Sequence, residues 1–284
     1  MKIIEDQHAE IWRQGTGLDG MYRHIERAAR VCYQSNDLIK ENSYVSIVKA
    51  LVDKNHTSML EHGTIYLERT LPDPSYFSDD NKYFNEKEAF DEFVNKYLLN
   101  KFSEVFVNQY HDYVAITTNY RVIYENKWDA DLSYMCKPSA FHSKRTTICV
   151  TTNLQVATEY IRQRLFSYAM ESTRYCAYDK EKFGNELSFI FPLWLKEDNV
   201  DKMVVIEWLN AMQDAENHYM RLRDMGWNAE KCAQVLPKAT KTTLVITGTE
   251  PLWNHLLDLR FFEKTGPVHP QAKELAGKIY DLLK

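Results

Sequence analysis

The chain has 284 residues and a mass of 33.5 kDa, which is enough for one large domain or two small ones. Aromatic residues make up 13% of it, and with only 9 Gly and 8 Pro the composition excludes a disordered or collagen-like chain. The net charge of −5 and the lack of a long basic run argue against a general binder of nucleic acid polymers, although a small anionic ligand needs only a few well-placed arginines.

Hydropathy and cysteine usage indicate the cellular setting. No apolar run approaches the roughly 18 residues needed to cross a bilayer. The 5 Cys are scattered and show neither the CxxC spacing of zinc sites nor the density of a disulfide framework. We therefore expect a soluble, cytoplasmic protein with reduced thiols, no membrane association and no metal site.

The first part of the chain predicts two helices and a strand. Apolar residues repeat at three- and four-residue steps from Met21 to Cys32, which predicts a helix over about 19–34. A second helix is predicted over about 43–53. After His62, the segment 64–67 is typical of a strand, and the turn residues Pro72 and Pro74 end it.

Residues from about 68 to 144 are unusually rich in Tyr, Phe and Asn. We predict that they are an insertion packed by aromatic side chains, with a helical stretch near 86–110. The insertion is either a structural elaboration or a substrate lid or oligomer contact.

The remaining segments predict strands alternating with helices. Residues 145–151 predict a strand, and the helix after it carries Leu154 to Leu165 on one face, with Arg162 and Arg164 near its end. A further strand is predicted over 187–191, and helices over about 200–225, 251–262 and 270–283. The fold class predicted is α+β, a single domain over 1–284 with a mixed or antiparallel sheet flanked by helices.

The most informative stretch runs from Arg162 to Tyr175. It carries Arg162, Arg164 and Arg174 together with hydroxyl side chains, and guanidinium groups match phosphate oxygens two at a time. With only 9 Gly we expect neither a Walker loop nor a G-x-G-x-x-G loop, so side chains, not a glycine-rich backbone, should hold any anion. The alternative is a solvated arginine face with Glu171 as ion-pair partner.

Three ordered segments resemble the flavin-dependent thymidylate synthase family. Residues 162–175 resemble its Arg-His-Arg, Ser, Ser-x-Arg-Tyr signature, with Gln163 in place of His. Residues 56–62 resemble its His-x-Ser/Thr-Pro-Phe-Glu-His segment, and 235–237 with 254–260 resemble its C-terminal half. The tyrosine-rich residues lie between the first and second of these segments.

The resemblance implies an enzyme that methylates dUMP to dTMP, with FAD as cofactor, methylenetetrahydrofolate as carbon donor and NADPH as reductant. It also implies a homotetramer with active sites built from several subunits. The residues implied to bind cofactor are His56, Ser58, Arg162, Gln163, Arg164, Ser167, Thr249 and His255. Those implied to bind the nucleotide are Glu159, Arg162, Met170, Glu171, Ser172, Arg174, Tyr175 and Arg260. Of these, Arg260 is implied to be catalytic, because a fixed cation at the uracil carbonyls would stabilise charge as N3 loses its proton.

Some of these residues have plainer interpretations. His56 and His62 flank a helix end and are alternatively capping or core groups, and Arg260 is alternatively a helix C-terminal arginine that binds carbonyls. Ala233 stands where the family has an arginine for dUMP, with Lys231, Lys238 and Lys241 as candidate substitutes. Two other functions therefore stay open: a related pyrimidine-nucleotide C5 modifier, such as a hydroxymethylating enzyme, and a non-catalytic nucleotide-binding homologue.

Overall fold

The computed structural model describes residues 1–77 and 79–284. Its helices are α1 (Gly17–Val31), α2 (Ser43–Asp53), α3 (Asp80–Leu98), α4 (Tyr120–Asn126), α5 (Leu154–Tyr160), α6 (Lys202–Asp224), α7 (Ala229–Cys232), α8 (Glu250–Arg260) and α9 (Pro270–Leu283). Its strands are β1 (Lys2–Ile4), β2 (His8–Trp12), β3 (Thr64–Thr70), β4 (Glu104–Val107), β5 (Tyr113–Asn119), β6 (Arg145–Asn153), β7 (Ser167–Met170), β8 (Ser188–Ile190) and β9 (Lys241–Thr249).

The strands form an antiparallel sheet in the order β2-β6-β9-β7, a second antiparallel sheet in the order β3-β5-β4, and a parallel pair of β1 with β8. Helices flank both larger sheets. The predicted α+β class with a mixed or antiparallel sheet is therefore confirmed.

The four-stranded sheet is covered on both faces. Ile148 and Val150 of β6 pack with α5, α8 and α9, whereas Cys149 between them packs with α1 on the opposite face. Successive side chains of a strand point to opposite faces, so a strand buried on both sides is a continuous apolar run. This is why β6 contains four buried residues in succession, 147–150.

A second core lies around the three-stranded sheet. It joins β3 and β5 to α3 and α4, and it also takes in Met21 and Ile25 of α1. A Cβ on Gly63 would lie 2.7 Å from Ile25 Cδ1, so the absence of a side chain there lets α1 approach β3 closely. Aromatic contacts hold this core together, including Phe93 with Tyr97 and Tyr97 with Trp128.

Two helix predictions are wrong in extent. The stretch predicted as helical near 86–110 ends at Leu98, and Glu104–Val107 instead forms β4, where Val105 pairs with Ile116 of β5. Tertiary pairing of these β-branched and aromatic residues overrides the local helical pattern. The helix predicted to reach Leu165 ends at Tyr160, and Leu165 has a φ of 71° that no α-helix accepts.

The tripeptide Thr-Thr-Asn directly precedes two of the helices, α4 and α5. Thr117-Thr118-Asn119 ends β5 and Thr151-Thr152-Asn153 ends β6. Asn119 accepts a hydrogen bond from the Val122 N–H at 3.2 Å, and Asn153 accepts one from the Val156 N–H at 2.8 Å. A β-region asparagine that satisfies a first-turn N–H ends each strand and begins each helix.

The remaining predictions agree closely. The helices predicted over 19–34, 43–53, 200–225, 251–262 and 270–283 are α1, α2, α6, α8 and α9, and the strands predicted after His62, over 145–151 and over 187–191 are β3, β6 and β8. The central strand β9 was not predicted. All five cysteines carry free thiols. In the described part of the chain, no helix combines the length and apolar character that a membrane span requires.

Candidate active site

The arginine segment leaves α5 and enters the edge strand β7. Arg162 and Arg164 lie in the exposed connection, and β7 then pairs with β9, with Ser167 opposite Thr247 and Met170 opposite Leu244. The hydroxyl of Tyr168 donates to the backbone oxygens of Tyr160 and Gln163 at 2.8 and 2.9 Å. This contact fixes the backbone of the connection and leaves the two guanidinium groups free to meet a ligand.

Arg145 joins the arginine segment to the segment at residues 56–62. Its Nη2 donates to Ser167 Oγ at 2.8 Å, and its Nη1 donates to the backbone oxygen of Glu61 at 2.7 Å and to Thr64 Oγ1 at 3.2 Å. Burial lowers the pKa of Arg145 to about 10, because the surrounding protein replaces the water that would solvate its charge. Sequence reasoning did not single out this residue, which lies at the first position of β6.

A buried hydrogen-bond network crosses the same end of the four-stranded sheet. His24 Nε2 lies 2.9 Å from Thr147 Oγ1, the hydroxyls of Thr147 and Thr247 are 2.8 Å apart, and His62 Nδ1 lies 2.8 Å from Thr247 Oγ1. Burial lowers the pKa of His24 to about 4 and that of His62 to about 3, so both are neutral at pH 7. His62 is therefore a buried group that ties residues 56–62 to β9.

Arg260 lies at the last residue of α8, against the end of α5. Its Nη1 is 3.6 Å from Glu159 Oε2, and its Nη2 donates to the backbone oxygen of Glu159 at 3.1 Å. Its Nε is buried without a hydrogen-bond partner in the described residues. The carbonyl that Arg260 binds belongs to α5, not to its own helix, so two residues implied to bind the nucleotide are held in direct contact.

Glu171 is the most buried of the residues implied to bind the nucleotide, with 3% of its surface exposed. Lys241 Nζ lies 2.7 Å from its Oε2, and the Tyr178 hydroxyl donates to its Oε1 at 3.0 Å. Burial raises the pKa of the Tyr178 hydroxyl, and the Glu171 carboxylate adds to this effect. Glu171 is thus an ion-pair partner, as the alternative interpretation held, but its partner is Lys241, which is then not a free substitute cation for Ala233.

Arg174 and Tyr175 lie at the surface. Arg174 Nε is 2.9 Å from Glu230 Oε1 of α7, and its backbone N–H donates to Ser172 Oγ at 3.3 Å. The Tyr175 ring lies 5.1 Å from that of Tyr33. Within one chain Arg174 and Arg260 therefore contact carboxylates on different helices, and the structure does not bring them together directly.

The other residues implied to bind cofactor fall into two groups. His56, Ser58 and His255 are exposed at the surface. Thr249 is buried before α8, opposite Arg145 in the β6–β9 pairing, and its hydroxyl has no partner in the described part of the chain. Polar groups that are exposed, or buried and unpaired, are free to bind a ligand.

The exposed and unpaired groups suit a flavin dinucleotide. The exposed guanidiniums of Arg162 and Arg164 suit its phosphates, and the unpaired Thr249 hydroxyl offers a hydrogen bond near the same sheet end. The donor set fits the cofactor.

Three side chains of the types that bind metal ions lie close together, but the histidine among them is hydrogen-bonded to other protein groups. Glu68, Cys136 and His142 bring ligand atoms within 4.8 Å of one another. However, His142 Nδ1 accepts from the Ser139 N–H at 3.0 Å, and its Nε2 donates to the Leu67 carbonyl at 3.1 Å. Both ring nitrogens are thus occupied by the protein, and this favours a structural role for the histidine.

A cavity of about 880 Å³ opens beside Arg145, and its lining contains none of the sequence-predicted site residues. Gly15-Thr16-Gly17-Leu18-Asp19-Gly20 matches G-x-G-x-x-G, and its first half lines this cavity at the start of α1. The expectation that the chain has no G-x-G-x-x-G loop is therefore wrong, since the pattern is present in the sequence.

A protein family and several known proteins are similar to this chain. The family described as thymidylate synthase complementing protein matches residues 109–284, which include the arginine segment and α8. The flavin-dependent thymidylate synthases of Thermococcus kodakarensis and Pyrococcus furiosus are 30% and 27% identical over 123 residues, 43% of this chain and 47% of theirs. The chain thus spans about half the length of these curated relatives.

A solved UMP/dUMP methylase from Streptomyces cacaoi, bound with 5-Br dUMP, is 16% identical and has a TM-score of 0.45, with 100% of this chain and 92% of that chain covered. The resemblance noted on residues 162–175 and 254–260 is confirmed by the family match, which spans more than half of the chain. The chain belongs to the thymidylate synthase complementing protein family.

Proposed function

We propose that this chain is a flavin-dependent methylase that converts dUMP to dTMP, with methylenetetrahydrofolate as carbon donor and NADPH as reductant. The observation that carries the proposal is Arg145, whose hydrogen bonds join the segment at 56–62 to Ser167 of the arginine segment. Two distant segments of the chain that resemble the family's ligand-binding segments thereby meet at one sheet end.

The roles of the chain's own residues follow from their chemistry. Arg162 and Arg164 would hold the phosphates of FAD, and Gln163 and Thr249 would supply neutral hydrogen bonds around it. Ser167 is buried and bonded to Arg145, so it would position this segment beside the cofactor. His56, Ser58 and His255 would complete the flavin and folate side of the site. When bound, the reduced flavin supplies the hydride that converts the transferred methylene group to a methyl group.

The nucleotide would be held by a second set of groups. Arg174 and Ser172 would bind its phosphate, Tyr175 would pack on it, and Met170 would line the site. Glu171 is engaged by Lys241, so we assign it the role of positioning the backbone of this segment.

Arg260 would act at the uracil ring. Glu159 positions its guanidinium through two contacts, at 3.6 and 3.1 Å, and its unpaired Nε is available for a carbonyl oxygen. A fixed positive charge there stabilises the negative charge that forms as N3 loses its proton, and C5 becomes a better nucleophile. Arginine does not itself remove the proton, because guanidinium does not deprotonate in proteins.

The exposed position of Arg174 and Tyr175 supports a site completed by another copy of the chain, and we propose a homotetramer. We also propose that the chain works as one domain with residues 68–144 as an inserted part. In support, Met21 and Ile25 of α1 pack in the core of that part while Ala28 and Val31 of the same helix pack on the four-stranded sheet.

A second candidate is a related C5 modification of a pyrimidine nucleotide, such as hydroxymethylation. Ala233 and Gln163 favour it, because both remove a group that the family uses near its ligands. Lys241 is taken up by Glu171, whereas Lys231 stacks over the Trp227 ring at 4.3 Å and Lys238 has no carboxylate within ion-pair distance in the described residues. Lys238 is therefore our choice for a substitute cation.

The test is a flavin assay on the purified chain. We expect bound FAD, reduction by NADPH, and reoxidation in the absence of oxygen that requires both dUMP and methylenetetrahydrofolate and yields dTMP. A C5 product other than dTMP would favour the second candidate, and hydroxymethylation, which takes its carbon from methylenetetrahydrofolate and its oxygen from water, would leave the reduced flavin unoxidised. A preparation that binds dUMP but ignores FAD would instead be a non-catalytic homologue.

A further inference from the structure

The cavity beside Arg145 is lined by an unusual set of charges. Arg13, Lys137, Lys144 and Arg145 all line it, and its lining contains neither Asp nor Glu, although acidic residues outnumber basic ones 40 to 35 in the chain. None of these four cations lies within 4.0 Å of a carboxylate in residues 1–77 and 79–284. Unpaired cations gathered around one space create a positive potential that an anion would neutralise.

Arg145 is the innermost of these charges. It is half-buried, whereas the other three are exposed, and it donates to a backbone oxygen and two hydroxyls, all of which are uncharged. Charges taken out of water in a protein are normally paired, because an isolated ion loses its hydration without a compensating interaction. A bound anion would supply the missing partner.

The start of α1 adds hydrogen-bond donors on the same cavity. Residues 14–18 line it, and the side chain of the N-cap residue Thr16 makes no capping hydrogen bond. A Cβ on Gly20 would lie 2.2 Å from the Gly15 carbonyl carbon, so the loop closes this tightly only with glycine at position 20. The first N–H groups of a helix favour phosphate, and here they accompany the four cations.

The cavity is larger than one phosphate group requires. Its volume of about 880 Å³ is within the range of sites for whole cofactors, and Leu132, Met135 and Leu282 give it an apolar wall. The strand–loop–helix order of β2, the glycine loop and α1 is that of dinucleotide-binding loops, but the sheet is antiparallel and no βαβ unit follows within the part of the chain that the structure describes. The fold therefore does not indicate the ligand class, whereas the charges and volume of the cavity do.

We propose that this cavity is a second nucleotide site, which binds a nucleotide carrying at least two phosphates through Arg13, Lys137, Lys144 and Arg145 and places its base against the apolar wall. None of the residues assigned to FAD and dUMP lines this cavity, although Arg145 contacts Ser167 of the arginine segment, and the proposal does not depend on the proposed reaction. It is formed within a single chain.

Calorimetric titration of the full-length chain with ADP tests the site. We expect saturable binding that the double variant Arg13→Gln/Lys144→Gln weakens at least about tenfold, since two charged contacts are lost. Both side chains are exposed, and a thermal melt would verify that the variant folds. The matched control Lys49→Gln/Lys202→Gln removes two exposed lysines of α2 and α6 and should bind ADP like the original chain.

ADP is also a fragment of FAD, so a second pair of variants separates the two sites. Arg162→Gln/Arg164→Gln should lose FAD binding, measured by flavin fluorescence, and keep ADP binding within about twofold. Several results would overturn the proposal: no saturable ADP binding, unchanged affinity in Arg13→Gln/Lys144→Gln, or loss of ADP binding only in Arg162→Gln/Arg164→Gln. Tighter binding of oligoglutamate than of ADP, with the same dependence on Arg13 and Lys144, would also overturn it in favour of a polycarboxylate site.

Discussion

Three buried polar groups of this protein have hydrogen-bond partners within the protein, whereas three exposed arginines are largely free of them in the part of the chain that the structure describes. Glu171, His24 and His62 are at most 4% exposed, and each has a protein partner within hydrogen-bond distance. Arg162, Arg164 and Arg174 lie at the surface, and the ion pair between Arg174 and Glu230 is itself exposed.

The difference predicts that stability and turnover are separable. Buried pairs are costly to break, whereas exposed ion pairs contribute little to the free energy of unfolding. The exposed arginines thus add almost nothing to the fold and are available to ligands, while the buried network fixes the strands that position them. Arg260 is intermediate, since it is half-buried but has an unpaired Nε.

The largest expected effect is on turnover. Arg260→Ala should lower kcat about 100- to 1,000-fold, because the charge at the uracil edge is lost, and it should leave FAD binding and the melting temperature nearly unchanged. The matched control is Lys264→Ala, which removes an exposed cation paired with Asp258 just beyond the same helix. A variant that turns over at the original rate would show that Arg260 is not catalytic.

The next effect is a loss of stability in acid. His24 and His62 have folded pKa values of about 4 and 3, below the ordinary 6.5, so the unfolded chain binds more protons as the pH falls below 6.5. Their contribution is present above pH 6.5, and from pH 7 to pH 5 the two together should lose about 3 to 4 kcal/mol of unfolding free energy.

Urea unfolding at both pH values measures this loss. His24→Gln should reduce the pH dependence by about half, whereas His56→Gln, at an exposed position, should not change it. An equal pH dependence in the His24 variant would mean that other groups control acid stability.

A smaller effect is expected at the buried ion pair. Lys241→Met leaves the Glu171 carboxylate with Tyr178 as its remaining partner, and the free energy of unfolding should fall by about 2 to 3 kcal/mol. Lys264→Met, at an exposed pair, should change it by less than about 1 kcal/mol. Equal losses of unfolding free energy in the two variants would show that the buried ion pair stabilises the fold no more than the exposed one.

The smallest effect is expected at Arg174. Arg174→Gln should raise the KM for dUMP about tenfold, since one charged phosphate contact is lost, and it should leave the unfolding free energy within about 0.5 kcal/mol. Glu230→Gln frees Arg174 from its ion pair and should not raise the KM. If both variants raised the KM equally, the Arg174–Glu230 ion pair, and not the free guanidinium of Arg174, would be the group that binds dUMP.

Much of the fold could be predicted from local patterns. The α2 boundaries at 43 and 53 agree with the prediction, because apolar spacing and flanking polar residues act within one helix. The extent of α3 and the identity of β4 could not be predicted, since Val105 is in a strand only because Ile116 pairs with it. Among the site residues, the motif named Ser167 but not the Arg145 that binds it 22 positions earlier in the chain.

By itself the amino-acid sequence determined the family and the arginine segment. It also determined the change from strand to helix at the capping residues Asn119 and Asn153. These depend on neighbouring residues and on side-chain chemistry. Only the tertiary structure decided that Glu171 pairs with Lys241, that Arg260 rests on Glu159 and that four cations surround one cavity without an acid. Such contacts join residues far apart in the chain, and their energies depend on burial, which no local pattern specifies.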